Sequence, residues 1–128
     1  MKKVMIFGTF DVLHPGHIHL LKEAKEYGDY LVVIVALDST VLEVKRKLPK
    51  NNEQTRLKKI IDLNLADKVR LGYPGNKYRV IDEEKPDIIA LGYDQKFFTD
   101  QLEDQLEDHV QIVRLSSYLP EIYKSSKL

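Results

Sequence analysis

Two histidines three residues apart, His14 and His17, close the stretch Gly8-Thr9-Phe10-Asp11-Val12-Leu13-His14-Pro15-Gly16-His17. Neutral imidazoles can donate hydrogen bonds to phosphate oxygens without adding a permanent positive charge. Donors that tighten as charge builds on a phosphate lower the barrier to its transfer. On a helix the three-residue spacing puts both rings on one side, and Gly16 between them leaves room for a ligand. A lone histidine would be an ordinary surface or core residue, and His19 keeps that reading. The pair, placed where a strand runs into a helix, points to phosphate binding. A zinc site is the sharpest competitor, but no third ligand has suitable spacing and the chain has no cysteine. Asp11 is either a partner behind the phosphate contacts or a metal contact.

The pair must be held by the elements around it. Val4–Phe7 is a short apolar run ending at Gly8, as a buried strand stopped by a turn. From Pro15 the period becomes helical, with Ile18, Leu21, Ala24 and Tyr27 on one face and Gly28 past the last turn. Tyr30–Leu37 is continuous and β-branched, so it reads as a strand covered on both sides. Residues 38–52 are polar and basic, with Pro49 and Asn51-Asn52, and read as a loop. A helix is expected over Glu53–Leu63 on Leu57, Ile60 and Ile61, then a strand at Lys68–Leu71. A helix at 77–85, a strand at Asp87–Leu91 ending at Gly92, a helix at 99–108 and a strand at Val110–Leu115 complete the order. Strands alternating with helices predict an α/β fold: a single doubly wound, parallel, five-stranded, Rossmann-like sheet. Ligands of such sheets sit at the carboxyl ends of the strands. There a helix N-terminus offers backbone N–H groups, and Gly8 would let the chain approach a phosphate closely.

The whole chain, 1–128, is one domain by length, and folding should bury roughly two-thirds of its unfolded surface. Twenty basic residues balance twenty acidic ones, so no global field favours nucleic acid or a membrane surface. The absence of cysteine fits a reducing compartment. The apolar run near the N-terminus is too short for a signal or a span, so a cytoplasmic protein is expected. The final Ser126-Lys127-Leu128 matches a peroxisomal address, read here as coincidence.

Gly8-Thr9-Phe10-Asp11 followed by His14-Pro15-Gly16-His17 resembles the GTFD…HxGH signature of the cytidylyltransferase-like nucleotidyltransferases. This family includes glycerol-3-phosphate cytidylyltransferase and the small archaeal FAD synthases. The HxGH element alone also resembles class I aminoacyl-tRNA synthetases, but this chain is too short and no KMSKS-like second signature is present. The resemblance spans nearly the whole chain. It implies nucleotide binding by Gly8, Thr9, Phe10, Asp11, His14 and His17, with the histidines on the α- and β-phosphates. Lys45, with Arg46 and Lys47 beside it, matches family lysines that meet the triphosphate. Arg56 matches a family arginine in a Glu-x-Arg element, although Gln54-Thr55-Arg56 lacks the acid at that spacing. Gly92 and Asp94 fall in the nucleotide-binding stretch Leu91-Gly92-Tyr93-Asp94-Gln95. Arg114 matches a phosphate-binding arginine, and Ser125 and Ser126 match a hydroxyl pair that opens a last helix. That helix is expected to be missing here.

By the same resemblance the reaction is transfer of a nucleoside monophosphate from a triphosphate to a phosphate-bearing acceptor, with pyrophosphate released. His14, His17, Lys45 and Arg114 are the expected catalytic groups. Mg²⁺ would bridge phosphates, held mostly by ligand oxygens and water, with no metal site made by protein residues alone. The Leu91–Gln95 stretch and Ala36-Leu37-Asp38-Ser39-Thr40 look more like archaeal FAD synthases. That favours ATP and FMN, with Asp38 and Arg56 at the substrate. CTP with glycerol 3-phosphate or another small phosphorylated alcohol is the close alternative. A nucleotide-binding domain without catalysis is the alternative of another class. A homodimer is implied, with no nucleic-acid or membrane partner.

Overall fold

The computed structural model describes residues 2–74, 77–92 and 110–115 of the chain. Five strands, β1 (Lys3–Gly8), β2 (Tyr30–Val35), β3 (Lys68–Leu71), β4 (Ile88–Leu91) and β5 (Gln111–Arg114), form one sheet in the order β3-β2-β1-β4-β5. Every neighbouring pair is parallel. The described helices are α1 (Pro15–Lys25), α2 (Asp38–Lys45), α3 (Glu53–Leu63) and α4 (Lys77–Glu84). The expected doubly wound α/β sheet is what forms. The expected helix at 99–108 lies outside the described residues.

Alternation along the inner strands explains their unbroken apolar sequences. Val4 and Ile6 of β1, Leu31, Val33 and Val35 of β2, and Ile88 and Ala90 of β4 share one core with Leu21 and Ala24 of α1 and Ile60 of α3. Met5, Phe7, Val32, Ile34, Ile89 and Leu91 point the other way and pack with Val80 and Ile81 of α4. With helices on both faces, neither side of these strands can be polar. Two expected core residues stay outside: Tyr27 is 38% exposed and Ile61 50% exposed.

The lower rim of the sheet, where the strands begin, carries a repeated clamp. Asp29 donates its N–H to the Lys2 carbonyl while its carboxylate accepts the Lys2 N–H at 2.9 Å. Asp67 makes the same reciprocal pair with Leu31, at 2.8 Å, and Asp87 with Lys3, at 2.8 Å. Gly28 sits at this rim because a Cβ would fall 2.5 Å from the Lys2 carbonyl oxygen. Nearby, the buried Glu84 carboxylate binds Lys68 at 2.7 Å and Arg70 at 2.9 Å, with Lys3 at 3.6 Å.

The stretch 38–52 departs from expectation, since α2 occupies its first half. Leu37 offers no side-chain cap to that helix. The Asp38 N–H is instead met by the Glu53 carboxylate, 2.8 Å away and fifteen residues later in sequence. A helix capped from a distance leaves no local start signal, and only Val41 of α2 is buried.

Candidate active site

The carboxyl end of β1 leads into a turn whose shape depends on Phe10. Its φ is 53°, the left-handed region, which costs a non-glycine residue about 1–2 kcal/mol. Gly8 has no such backbone angle. Its missing side chain makes room within the turn: a Cβ on Gly8 would lie 2.5 Å from the Phe10 ring. Phe10 itself is 3% exposed and belongs to the core.

The turn is tied down from two directions. Both carboxylate oxygens of Asp11 accept backbone N–H groups, from Lys50 at 2.7 Å and Asn51 at 2.8 Å. The Asn51 side chain returns a bond to the Asp11 carbonyl at 2.6 Å. Burial alone would raise the Asp11 pKa. The Lys50 and Asn51 hydrogen bonds and the nearby Arg56 charge outweigh it and hold the carboxyl below its ordinary value. Arg56 is fully buried. Its guanidinium donates to the Thr9 carbonyl at 2.9 Å, Ala36 at 2.7 Å, Asn51 at 3.0 Å and the Asp38 carboxylate at 2.7 Å. One side chain therefore joins the β1 turn, the end of β2, the start of α2 and the loop before α3. In the described structure Arg56 and Asp38, both expected at the substrate, bind each other and the scaffold.

His14 is the N-cap of α1. Its Nδ1 accepts the Gly16 N–H at 3.1 Å, so a neutral His14 carries its proton on Nε2. The remaining first-turn donors are also engaged: Pro15 has none, and the His17 and Ile18 N–H groups reach the His14 carbonyl at 2.9 and 3.4 Å. The expected open backbone donors of this helix start are thus already taken. The helix dipole and the imidazoles are what it can offer an anion.

The two rings lie 4.0 Å apart between centroids, tilted by 34°. Burial, then His14 and Lys45, push His17 down to about 4. Burial also lowers His14. Both imidazoles are neutral at pH 7, so neither adds a permanent positive charge to the site. Lys45, the last residue of α2, is exposed and close enough to weigh on His17. Arg46 takes the left-handed cap of that helix, and Lys47 follows as an exposed loop residue.

Across the crevice beyond β1, Arg114 at the end of β5 donates to the buried Gly92 carbonyl at 2.7 Å. Asp94, Ser125 and Ser126 lie outside the described residues. His19 stands 3.3 Å from Glu23 on the surface of α1, as its ordinary reading expects.

The sequence reading passed over two participants. Asn51 and Glu53 looked like loop punctuation and a helix start, and their tasks depend on partners distant in sequence. The burial of Arg56 did have a local signal, because it stands four residues before Ile60 on one stripe of α3.

Residues 5–126 match the family described as Cytidylyltransferase-like. The FAD synthase of Thermoplasma volcanium is 45% identical over 131 residues, spanning 100% of this chain and 92% of its own. The FAD synthase of Picrophilus torridus is 42% identical, over 98% of this chain and 92% of its own. A crystal structure described as the lipopolysaccharide core biosynthesis protein of Thermoplasma volcanium superposes with a TM-score of 0.86 at 47% identity. That match covers 92% of this chain and 98% of the other.

Proposed function

Because the chain belongs to the cytidylyltransferase-like family, we propose that it is a nucleotidyltransferase that joins AMP from ATP to FMN and releases pyrophosphate. The observation that carries this reading is the pair of neutral imidazoles, 4.0 Å apart, at the start of α1. The choice of acceptor is supported by two FAD synthases that align with nearly the whole chain. The match over residues 5–126 supports reading 1–128 as one nucleotidyltransferase domain.

In this reading an FMN phosphate oxygen attacks the α-phosphorus of ATP in line. One P–O bond forms as the bond to the bridging oxygen breaks, and pyrophosphate leaves with the electron pair. The acceptor phosphate is already ionised, so no base is required. The His14 and His17 imidazoles lie against the α- and β-phosphates, and their contacts tighten as charge moves toward pyrophosphate. Lys45 meets the triphosphate from the end of α2. Arg114 holds phosphate from the far side of the crevice and anchors Gly92. Gly8, Thr9, Phe10 and Asp11 form the floor of the nucleotide site, and Asp94, Ser125 and Ser126 are retained as nucleotide contacts. Arg56 and Asp38 serve as scaffold, a role supported by the complete burial of Arg56.

A divalent cation, Mg²⁺ by resemblance, would screen the phosphates. The described residues do not form a cage for it: no three His, Asp or Glu side chains among them cluster suitably. Both Asp11 oxygens are already engaged by backbone N–H groups. Among the described residues no helix is long and apolar enough to cross a membrane. A cytoplasmic homodimer acting without nucleic acid is the corresponding picture of the assembly, supported by family likeness and checked by sedimentation.

The test is pyrophosphate release from ATP and CTP, each offered with FMN or with glycerol 3-phosphate. ATP with FMN should turn over fastest. CTP with a small phosphorylated alcohol is the second reading, supported by the match to the Cytidylyltransferase-like family. Tight nucleotide binding without turnover of any pair would make the domain a binding module. His17→Ala should lower turnover at least about a hundredfold.

A further inference from the structure

We propose that Phe10 is a positioning residue for His17: its ring contact, in place of a hydrogen bond, orients the imidazole and leaves the Nε2–H as donor. The inference rests on the reading that His17 faces the triphosphate.

A histidine that must present one nitrogen is ordinarily oriented by a hydrogen bond at the other. His14 follows that rule through Gly16. His17 does not, because its Nδ1 is enclosed and has no hydrogen-bond partner among the described residues. A proton placed there would be a buried, unmet donor, whereas on Nε2 it can reach a ligand oxygen. Ring packing is what remains to fix the imidazole. His14 stands 4.0 Å from it, and Phe10 meets it at 5.6 Å in an edge arrangement of 69°.

Phe10 is poorly suited to its backbone and well suited to this task. Its φ of 53° is one that glycine would adopt without penalty. Its ring fills the space that Gly8 leaves empty, with Cζ and Cε2 at 2.5 and 2.6 Å from where a Gly8 Cβ would sit. Gly8, Phe10 and His17 thus form one packed unit: an absent side chain admits a ring, and the ring braces an imidazole. At 3% exposure Phe10 has little surface to offer a nucleotide, so its side chain acts through His17.

The experiment compares the parent with Phe10→Leu and Phe10→Gly, reading thermal stability, kcat, KM and the ¹⁵N shifts of the His17 ring. Phe10→Gly relieves the left-handed backbone, so it separates loss of the ring from backbone strain. Both variants should lose at least about tenfold in kcat, with a smaller change in KM for the triphosphate. The parent should show a single Nε2–H tautomer, and Phe10→Gly a mixture. The His17 pKa should move up toward its ordinary value as the ring is uncovered, with His14 and Lys45 still facing it. A folded Phe10→Gly that keeps both kcat and a single Nε2–H tautomer overturns the proposal. The tautomer is read without turnover. An inert parent with an ordered His17 would therefore count against the reaction assigned above, and a disordered His17 in the parent against the role of Phe10.

Discussion

His14 has two tasks that can be separated by substitution. It caps α1 through Nδ1, and in the proposed reaction its ring also stands against the triphosphate. Asparagine is among the best N-caps, so His14→Asn should keep the melting temperature near the parent value while turnover falls about a hundredfold. His14→Ala should lose both, with about 1 kcal/mol from the cap. His17 gives the chain a pH dependence of known sign. Its ordinary value of 6.5 falls to about 4 in the fold, so between these values the unfolded chain holds the proton and the folded chain does not. Stability should be full above pH 6.5 and decline as pH falls through about 4. Urea midpoints at pH 7 and pH 5 should show this loss, and His17→Gln should flatten it. The acid limb of kcat/KM should likewise lie well below pH 6.5. The histidine pair was legible because residue type and spacing carried it. The roles of Phe10 and Gly8 were not, since a ring filling another residue's empty space leaves no periodic trace.

At the scale of elements, the inner strands could be read to within a residue or two because burial on both faces makes them uniformly apolar. The helix α2 was missed because its cap, Glu53, lies in the next helix and its only buried residue is Val41. Arg56 explains why α2 and α3 are placed together. Its planar fork serves three carbonyls and one carboxylate, a geometry a lysine cannot reproduce. Arg56→Ala should cost about 3 kcal/mol or more, and Arg56→Lys should recover little of it. Well below the lowered melting temperature, the KM for ATP should stay near the parent value. A large rise in KM with unchanged stability would return Arg56 to the substrate, where the sequence first placed it.

The whole molecule divides its work between the two rims of one sheet. The upper rim carries the histidines, Lys45, and Arg114 on Gly92. The lower rim carries Asp29, Asp67 and Asp87, each exchanging two bonds with a residue at the start of a neighbouring strand. Asp67→Ala should cost about 1–2 kcal/mol in denaturant unfolding, and Asp67→Asn, which keeps an acceptor oxygen, should cost less. Because each aspartate is matched to one backbone position, a strand displaced by a single residue would forfeit both bonds and turn its core side chains to the wrong face. The sheet is therefore indexed from its lower edge. Residues added to a connection at that edge would disturb alignment, whereas added length at the opposite edge would be absorbed outside the keyed positions. A protein built this way can have its substrate-facing loops recut while the strands keep their places.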